Sequence, residues 1–189
     1  SLNSNSIDAD LSNTDLSGQN LSNKNFMDSK LINSNLSNTN FSNSILIGAD
    51  LTGADLTGAD LTNVSLSTVD LTNTKLTGAD LTNTNLFNVN LSEKDLTGTI
   101  LVGADLTNTN LTGKDLTGKD LTGAKLRDMD LSGMDMTNTK ITGADLTGAD
   151  LTAVDLTETD FTNAILDELV LSGKILHNSK FNFVSLKNT

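Results

Sequence analysis

No cysteine, proline, tryptophan or tyrosine occurs in these 189 residues, and His177 is the single histidine. Without cysteine there is neither a disulfide framework nor a thiolate metal site, and the redox compartment stays undetermined. No apolar stretch is long enough to cross a bilayer, so no membrane contact is expected. No basic segment followed by an apolar one opens the chain, as a secretory leader would require. The chain begins at Ser1, consistent with loss of an initiator Met or of a longer leader, so that absence carries little weight; a cytoplasmic location is the expectation. Catalysis needs unlike groups converging in a concave site. His177 has no cysteine to pair with, and Ser, Thr and Asp recur as repeated positions rather than as one singular constellation. No enzyme, cofactor or bound metal is expected.

What the chain has is a clock. From Leu11 to Leu186 every fifth residue is large and apolar, thirty-six positions without exception, and only Phe26, Phe41, Met136, Ile141, Phe161 and Phe181 are not Leu. On an α-helix a five-residue step advances the side chain by roughly 140° beyond a full turn, which scatters these residues over all faces. On a flat strand an odd step sends successive residues to opposite faces. A chain that bends once per five residues, and so winds a coil about an axis, satisfies the pattern. The bend is visible too: two residues after a clock residue stands Gly or Asn in most repeats, for example Gly58, Asn63, Asn83 and Gly103, and these residues best tolerate the positive φ that the third residue of a type II turn requires.

Around the clock residue, the preceding position is mostly Asp or Asn, the following one mostly Ser or Thr, and Ala recurs two before it, at Ala49, Ala54, Ala59, Ala79, Ala104, Ala144 and Ala149. Strings such as Ala54-Asp55-Leu56-Thr57-Gly58 and Ala144-Asp145-Leu146-Thr147-Gly148 resemble the A(D/N)LXX motif of pentapeptide-repeat proteins, and the resemblance extends over residues 9 to 188. It implies an all-β, right-handed quadrilateral parallel β-helix with four repeats per coil, in which the clock residue and its partner two before it point inward. Periodicity alone requires only a whole number of repeats per coil; the number four comes from the family. Thirty-six repeats then make about nine coils, a column roughly 43 Å tall at strand spacing.

The whole chain, 1–189, reads as a single repeat domain. Leu2 and Ile7 lie one residue out of phase with Leu11, so residues 1–10 are expected to form a distorted N-terminal cap before the continuous repeats of 11–188. At the other end Ile165, Val170 and Ile175 occupy the usually polar position before the clock residue, with Phe183 and Val184 following. Two readings stay open: these groups cap the column by packing on a terminal segment, or they join two copies as a homodimer.

Twenty residues per coil would stack Asp95, Asp115, Asp135 and Asp155 on one face, preceded by Asp55 and Lys75, at steps of about 4.8 Å. A flat ladder of single carboxylates diverges where calcium wants six to eight converging oxygens, so a solvated acidic face is expected, its carboxylate pKa values raised by mutual repulsion. Beside it, Thr57, Thr77, Thr97, Thr117, Thr137 and Thr157 form a hydroxyl column that could order water, an ice-binding alternative that the charged neighbours weaken. Lys24, Lys94, Lys114, Lys119 and Lys174 stand at the inward position that the family normally gives to small residues. Burying an unpaired ammonium is costly, so these side chains are expected to snorkel outward toward carboxylates such as Asp95 and Asp115; local bending of the column is the alternative.

The formal charge is −12, and residues 51–110 and 111–160 each carry an excess of five negative charges. Such a surface repels nucleic acid and anionic membranes and attracts basic grooves. A structural or protein-interaction module with an unidentified partner is the main expectation. The resemblance implies a second: some pentapeptide-repeat proteins mimic B-DNA in width and charge and occupy the DNA saddle of type II topoisomerases, which here would be DNA gyrase or topoisomerase IV of a bacterium. Duplex DNA of this height would carry roughly 25 charges, so the mimicry is diluted by about half, and the unbroken clock leaves no room for the projecting loops of some quinolone-resistance members. Met27, Ile45 and Ile47 should cluster on one face, with Phe87 farther along it and Ile100 and Val102 elsewhere, as incidental surface apolarity or a second contact surface.

Overall fold

The computed structural model describes residues 5–189. Most repeats are turns closed by the amide three residues after the clock residue, as Thr84 N donates to Leu81 O at 3.0 Å and Ala54 N to Leu51 O at 2.9 Å. The residue inside the turn takes positive φ at every corner from Asp8 to Asn188 except Thr68 and Glu93. Gly103 shows why glycine is needed at some corners: its φ is +67°, and a Cβ there would fall 2.1 Å from Asn83 Oδ1 on the corner one coil earlier. The Asn83 amide in turn donates to Asn63 Oδ1 at 3.1 Å, and Asn63 to Asn43 at 2.9 Å, so corner side chains stack along the column.

Successive coils pair through parallel bridges between residues twenty apart, such as Asn35↔Asp55 and Lys125↔Asp145. Four five-residue sides therefore complete one coil, and the section is quadrilateral. Clock side chains fill the interior: from Leu21 to Leu166 all of them are buried, and each contributes on the order of 1.5–3 kcal/mol through lost apolar exposure. Phe26 and Phe41 meet edge to face at 5.7 Å, and Phe161 stacks on Phe181 at 4.9 Å.

The smaller inward residue, two before the clock residue, decides whether neighbouring coils zip together. Among the described residues, a bridge forms in all twenty places where the inward residue just before its upper partner is Ser, Ala or Thr. Where that residue is Val, Leu, Met or Lys, the bridge is missing in nine of thirteen. Small groups let the backbones approach to hydrogen-bonding distance, whereas bulk inserted into a close-packed interior forces backbone shifts. One face, with Ala104, Ala124, Ala144 and Ala164 inward, is bridged without interruption from Ser65 through Asn85, Asp105, Lys125, Asp145 and Ile165 to Ser185. The opposite face, with Lys94, Lys114 and Met134 inward, has three consecutive gaps, and Asp95 and Asp115 take part in no bridge.

At the N-terminus the expected break between Ile7 and Leu11 is absent. Ser6 sits at the clock position, donates its amide to Asn25 O at 2.8 Å and accepts from Ala9 N at 3.2 Å, while Ile7 is 41% exposed. Pairing with the following coil fixes the register there, and the hydrophobicity of Ile7 does not override it. Leu2 lies outside the described residues. At the C-terminal end Leu171, Leu176, Phe181 and Val184 are only partly buried, so the last coil leaves its interior side chains partly open.

Candidate interaction surface

The acidic column is built from one local motif. In each repeat the Asp before the clock residue folds its carboxylate back onto the amide two residues ahead: Asp55 Oδ1 accepts from Thr57 N at 3.0 Å, Asp95 from Thr97 at 2.9 Å, Asp115 from Thr117 at 2.8 Å, Asp135 from Thr137 at 2.9 Å and Asp155 from Thr157 at 2.9 Å. Short polar side chains favour such backbone contacts at turns, and the outcome is a carboxylate of fixed orientation. Asp55 is also paired with Lys75, whose Nζ lies 2.9 Å from Oδ2.

The expected rise in carboxylate pKa does not occur. All five aspartates lie below the ordinary value: the Thr57, Thr97, Thr117 and Thr137 hydroxyls dominate at Asp55, Asp95, Asp115 and Asp135, and the Thr157 amide at Asp155. Hydrogen bonds to the ionised form favour it. Repulsion from Asp135 does act on Asp115 and Asp155 in the upward direction, but is weaker than these bonds. The ladder itself is also less regular than anticipated, because Asp135 and Asp155 are bridged but Asp95 and Asp115 are not.

Four of the inward lysines account for part of that irregularity, and the amines of Lys94, Lys114, Lys119 and Lys174 hydrogen-bond backbone carbonyls where carboxylates were expected. The ammonium groups of Lys94, Lys119 and Lys174 donate to the backbone carbonyls of Leu71, Leu96 and Leu151, each twenty-three residues earlier, and Lys114 Nζ donates to Lys94 O at 2.8 Å. Threonine uses the same acceptor elsewhere: Thr39 Oγ1 reaches Leu16 O and Thr84 Oγ1 reaches Leu61 O, both at 2.9 Å. Lys94 is 7% exposed, and burial pushes its pKa down against the upward pull of Asp70 and Glu93. Crevices of about 310, 390 and 370 Å³ open between coils beside these residues, the second lined by Lys94, Asp95, Lys114, Asp115 and Lys119 and the third by Asp115, Asp130, Met134 and Asp135. Interaction across coils at carbonyls twenty-three residues away has no signature in a five-residue motif. The bulk of Lys94, Lys114 and Met134 was nonetheless a readable signal.

Most outward apolar residues lie apart from the acidic column, whereas Ile175 continues it one coil beyond Asp155. Met27, Ile45, Ile47 and Phe87 share the opposite face, where Ile45, Ile47 and Phe87 are 40%, 47% and 39% exposed, and Ile100 is 43% exposed elsewhere. At the C-terminal end Ile165 is 37% exposed, whereas Val170, Ile175 and Phe183 are 76%, 70% and 88% exposed. Among the described residues no helix is long and apolar enough to cross a membrane.

The Pentapeptide repeats family pattern matches residues 9–48, 34–73, 65–101, 79–118, 115–152 and 155–189, in 8 copies. No curated protein matches the sequence significantly. HetL, a pentapeptide repeat protein involved in heterocyst differentiation regulation from the cyanobacterium Nostoc sp. strain PCC 7120, is similar at 30% identity over 93% of this chain and 86% of its own, with a TM-score of 0.43. A pentapeptide repeat protein from the Arabidopsis thaliana thylakoid lumen is 32% identical over 59% of this chain and 71% of its own, with a TM-score of 0.41. Trypsin-treated QnrB1, a plasmid-mediated fluoroquinolone resistance protein, shares the fold at a TM-score of 0.53 and 20% identity over 97% of this chain and 90% of its own. The chain belongs to the pentapeptide repeat family, whose fold is the right-handed quadrilateral β-helix.

Proposed function

We propose that this chain is a non-enzymatic protein-interaction module, a single column of about nine coils over residues 1–189, whose acidic face binds a basic protein surface. The observation that carries this reading is the set of carboxylates at Asp95, Asp115, Asp135 and Asp155, each held ionised and oriented by a backbone amide and a threonine side chain of its own repeat. With Asp55 at the lower end, they form a row that attracts a basic groove and repels nucleic acid and anionic membranes. The hydroxyls of Thr57, Thr77, Thr97, Thr117, Thr137 and Thr157 all engage carboxylates of this row, which leaves little for an ice-binding role.

A more specific form of the reading takes the partner as DNA gyrase or topoisomerase IV, with the acidic column standing in for DNA in a bacterial cytoplasm. The charge of −12 supports it. A gyrase supercoiling assay with added protein tests it: inhibition that is lost when Asp95, Asp115, Asp135 and Asp155 are replaced by Lys is expected, and no inhibition at micromolar protein would remove this partner.

The reading also includes a homodimer through the C-terminal coils, formed by Ile165, Val170, Ile175 and Phe183 and supported by their exposure beside a partly open last coil. Mass measured against concentration should show a dimer that Ile175→Asp dissociates. A monomer throughout would favour a simple cap.

A further inference from the structure

The gaps between coils are not scattered evenly. Three consecutive ones, between Lys75 and Asp95, Asp95 and Asp115, and Asp115 and Asp135, fall on the face that carries the acidic row. The face directly across the quadrilateral, two sides away along every coil, is bridged continuously from Ser65 to Ser185. Inward residues match this division: Lys94, Lys114 and Met134 on the open face, Ala104, Ala124, Ala144 and Ala164 on the closed one. Lys94 and Lys114 are also tied across the gaps, since Lys94 bonds Leu71 O and Lys114 bonds Lys94 O, so each side chain stands between two coils and holds on to the earlier one. Two crevices on this face, of about 390 and 370 Å³, are lined by these same residues and by Asp95, Asp115 and Asp135.

We infer that Lys94, Lys114 and Met134 are spacers that hold the coils apart on the acidic face, bending the column so that this face is convex and fits a concave basic surface. The inference rests on the interaction reading above for its partner, but not for the spacers themselves. Two of the three gaps stay pinned at a corner, where Gly78 N donates to Thr97 O at 2.8 Å and Gly118 N to Thr137 O at 2.9 Å, so the coils part along the side between corners, and a column bridged on one side and parted on the other curves toward the bridged side. The carboxylates of Asp95, Asp115 and Asp135 then stand farther apart than a zipped ladder would place them, at about 4.8 Å, and the curvature selects a partner by shape as well as by charge. Lys94, Lys114 and Met134 are positioning residues: they act through the spacing of the carboxylates.

The test is amide hydrogen exchange on the wild type and on Lys94→Thr/Lys114→Thr/Met134→Ala, which supplies small inward groups of the kind beside which every described site is bridged. In the wild type the amides of Asp95, Asp115 and Asp135 should exchange faster than those of Asp55 and Lys75, which donate to Ser34 O and Ala54 O. In the variant they should slow by about fivefold, the worth of one regained hydrogen bond, with Asn85, Asp105 and Lys125 on the closed face unchanged. Equal protection in the wild type, or unchanged exchange in the variant, would overturn the inference. The converse variant Ala124→Met should speed exchange at Lys125, and it decides the matter if the triple variant does not fold. Binding to gyrase is measured alongside: weaker binding by the zipped variant, whose four carboxylates are intact, supports the convex fit, and equal binding refutes it. If neither protein binds gyrase, that partner fails, and hydrogen exchange alone judges the spacers.

Discussion

The ammonium of Lys94 donates to the carbonyl of Leu71, the relation by which Thr74 Oγ1 reaches Leu51 O at 2.8 Å one coil before. A hydroxyl and an ammonium thus serve one acceptor, at very different desolvation costs. Lys94→Thr is expected to stabilise the protein near neutral pH. In the unfolded chain Lys94 keeps its proton up to the ordinary lysine value of 10.5, whereas burial lets the folded chain release it earlier. Between these values the unfolded state binds more protons, so wild-type stability rises with pH. The advantage of the variant should therefore shrink as pH is raised toward that value, and urea unfolding of both proteins across this range measures it.

Thr159 and Thr84 are both fully buried at the inward position, but only Thr84 has a partner: its hydroxyl donates to Leu61 O at 2.9 Å, and Thr159 Oγ1 makes no hydrogen bond. Thr84→Val should cost about 1 kcal/mol by leaving that geometry without its bond, while Thr159→Val should be neutral or stabilising. Denaturant midpoints of the two variants check the contrast.

Gly103→Ala should destabilise by about 1–2 kcal/mol, partly because a β-carbon disfavours positive φ and partly because Asn83 must swing away and give up its bond to Asn63. Truncating the neighbour first, in Asn83→Ala, should remove the second part alone. A double-mutant cycle on thermal stability reads the coupling between the two corners.

Asp115 should titrate below an ordinary aspartate, and Thr117→Val should move its midpoint up by removing the largest favourable contact, the hydroxyl, while the Thr117 amide remains. A depressed folded pKa contributes stability above the unfolded value of about 3.8 and loses it as pH falls through the folded one. Carboxylate chemical shifts followed through an acid titration give both midpoints directly. A midpoint for wild-type Asp115 above 3.8 would mean that repulsion from Asp135 wins.

The core and the corners were legible in the sequence because both recur within one repeat. Leu56 must point inward whatever surrounds it, and Gly58 or Asn63 must turn the chain. The features that depart from the repeat's expectation depend instead on what lies one coil away. The hydrophobicity of Ile7 points it inward, but Ser6 holds the inward place because its amide meets Asn25. A charge seeks water or a carboxylate, which directs Lys94 outward, but the carbonyl of Leu71, twenty-three residues earlier, holds it instead. Mutual repulsion alone would raise the acidic row's pKa values, but each carboxylate has a threonine two residues ahead that outweighs it. Bulk at the inward position was present in the sequence throughout. Only the pattern of bridges gives it meaning, because the distance between coils is no property of a single repeat.

Pairing at twenty residues also separates two kinds of bookkeeping in the chain. Loss of five consecutive residues between Asp115 and Asp135 leaves every clock residue facing inward, so the five-residue pattern itself cannot register the change. The surface can, since everything beyond the deletion rotates by a quarter turn and the row through Asp135 and Asp155 moves to a different side from Asp95 and Asp115. Loss of twenty shortens the column and leaves its sides aligned. The clock thus keeps time by fives and the exterior by twenties, and length variation that preserves the clock can rearrange the face a partner meets.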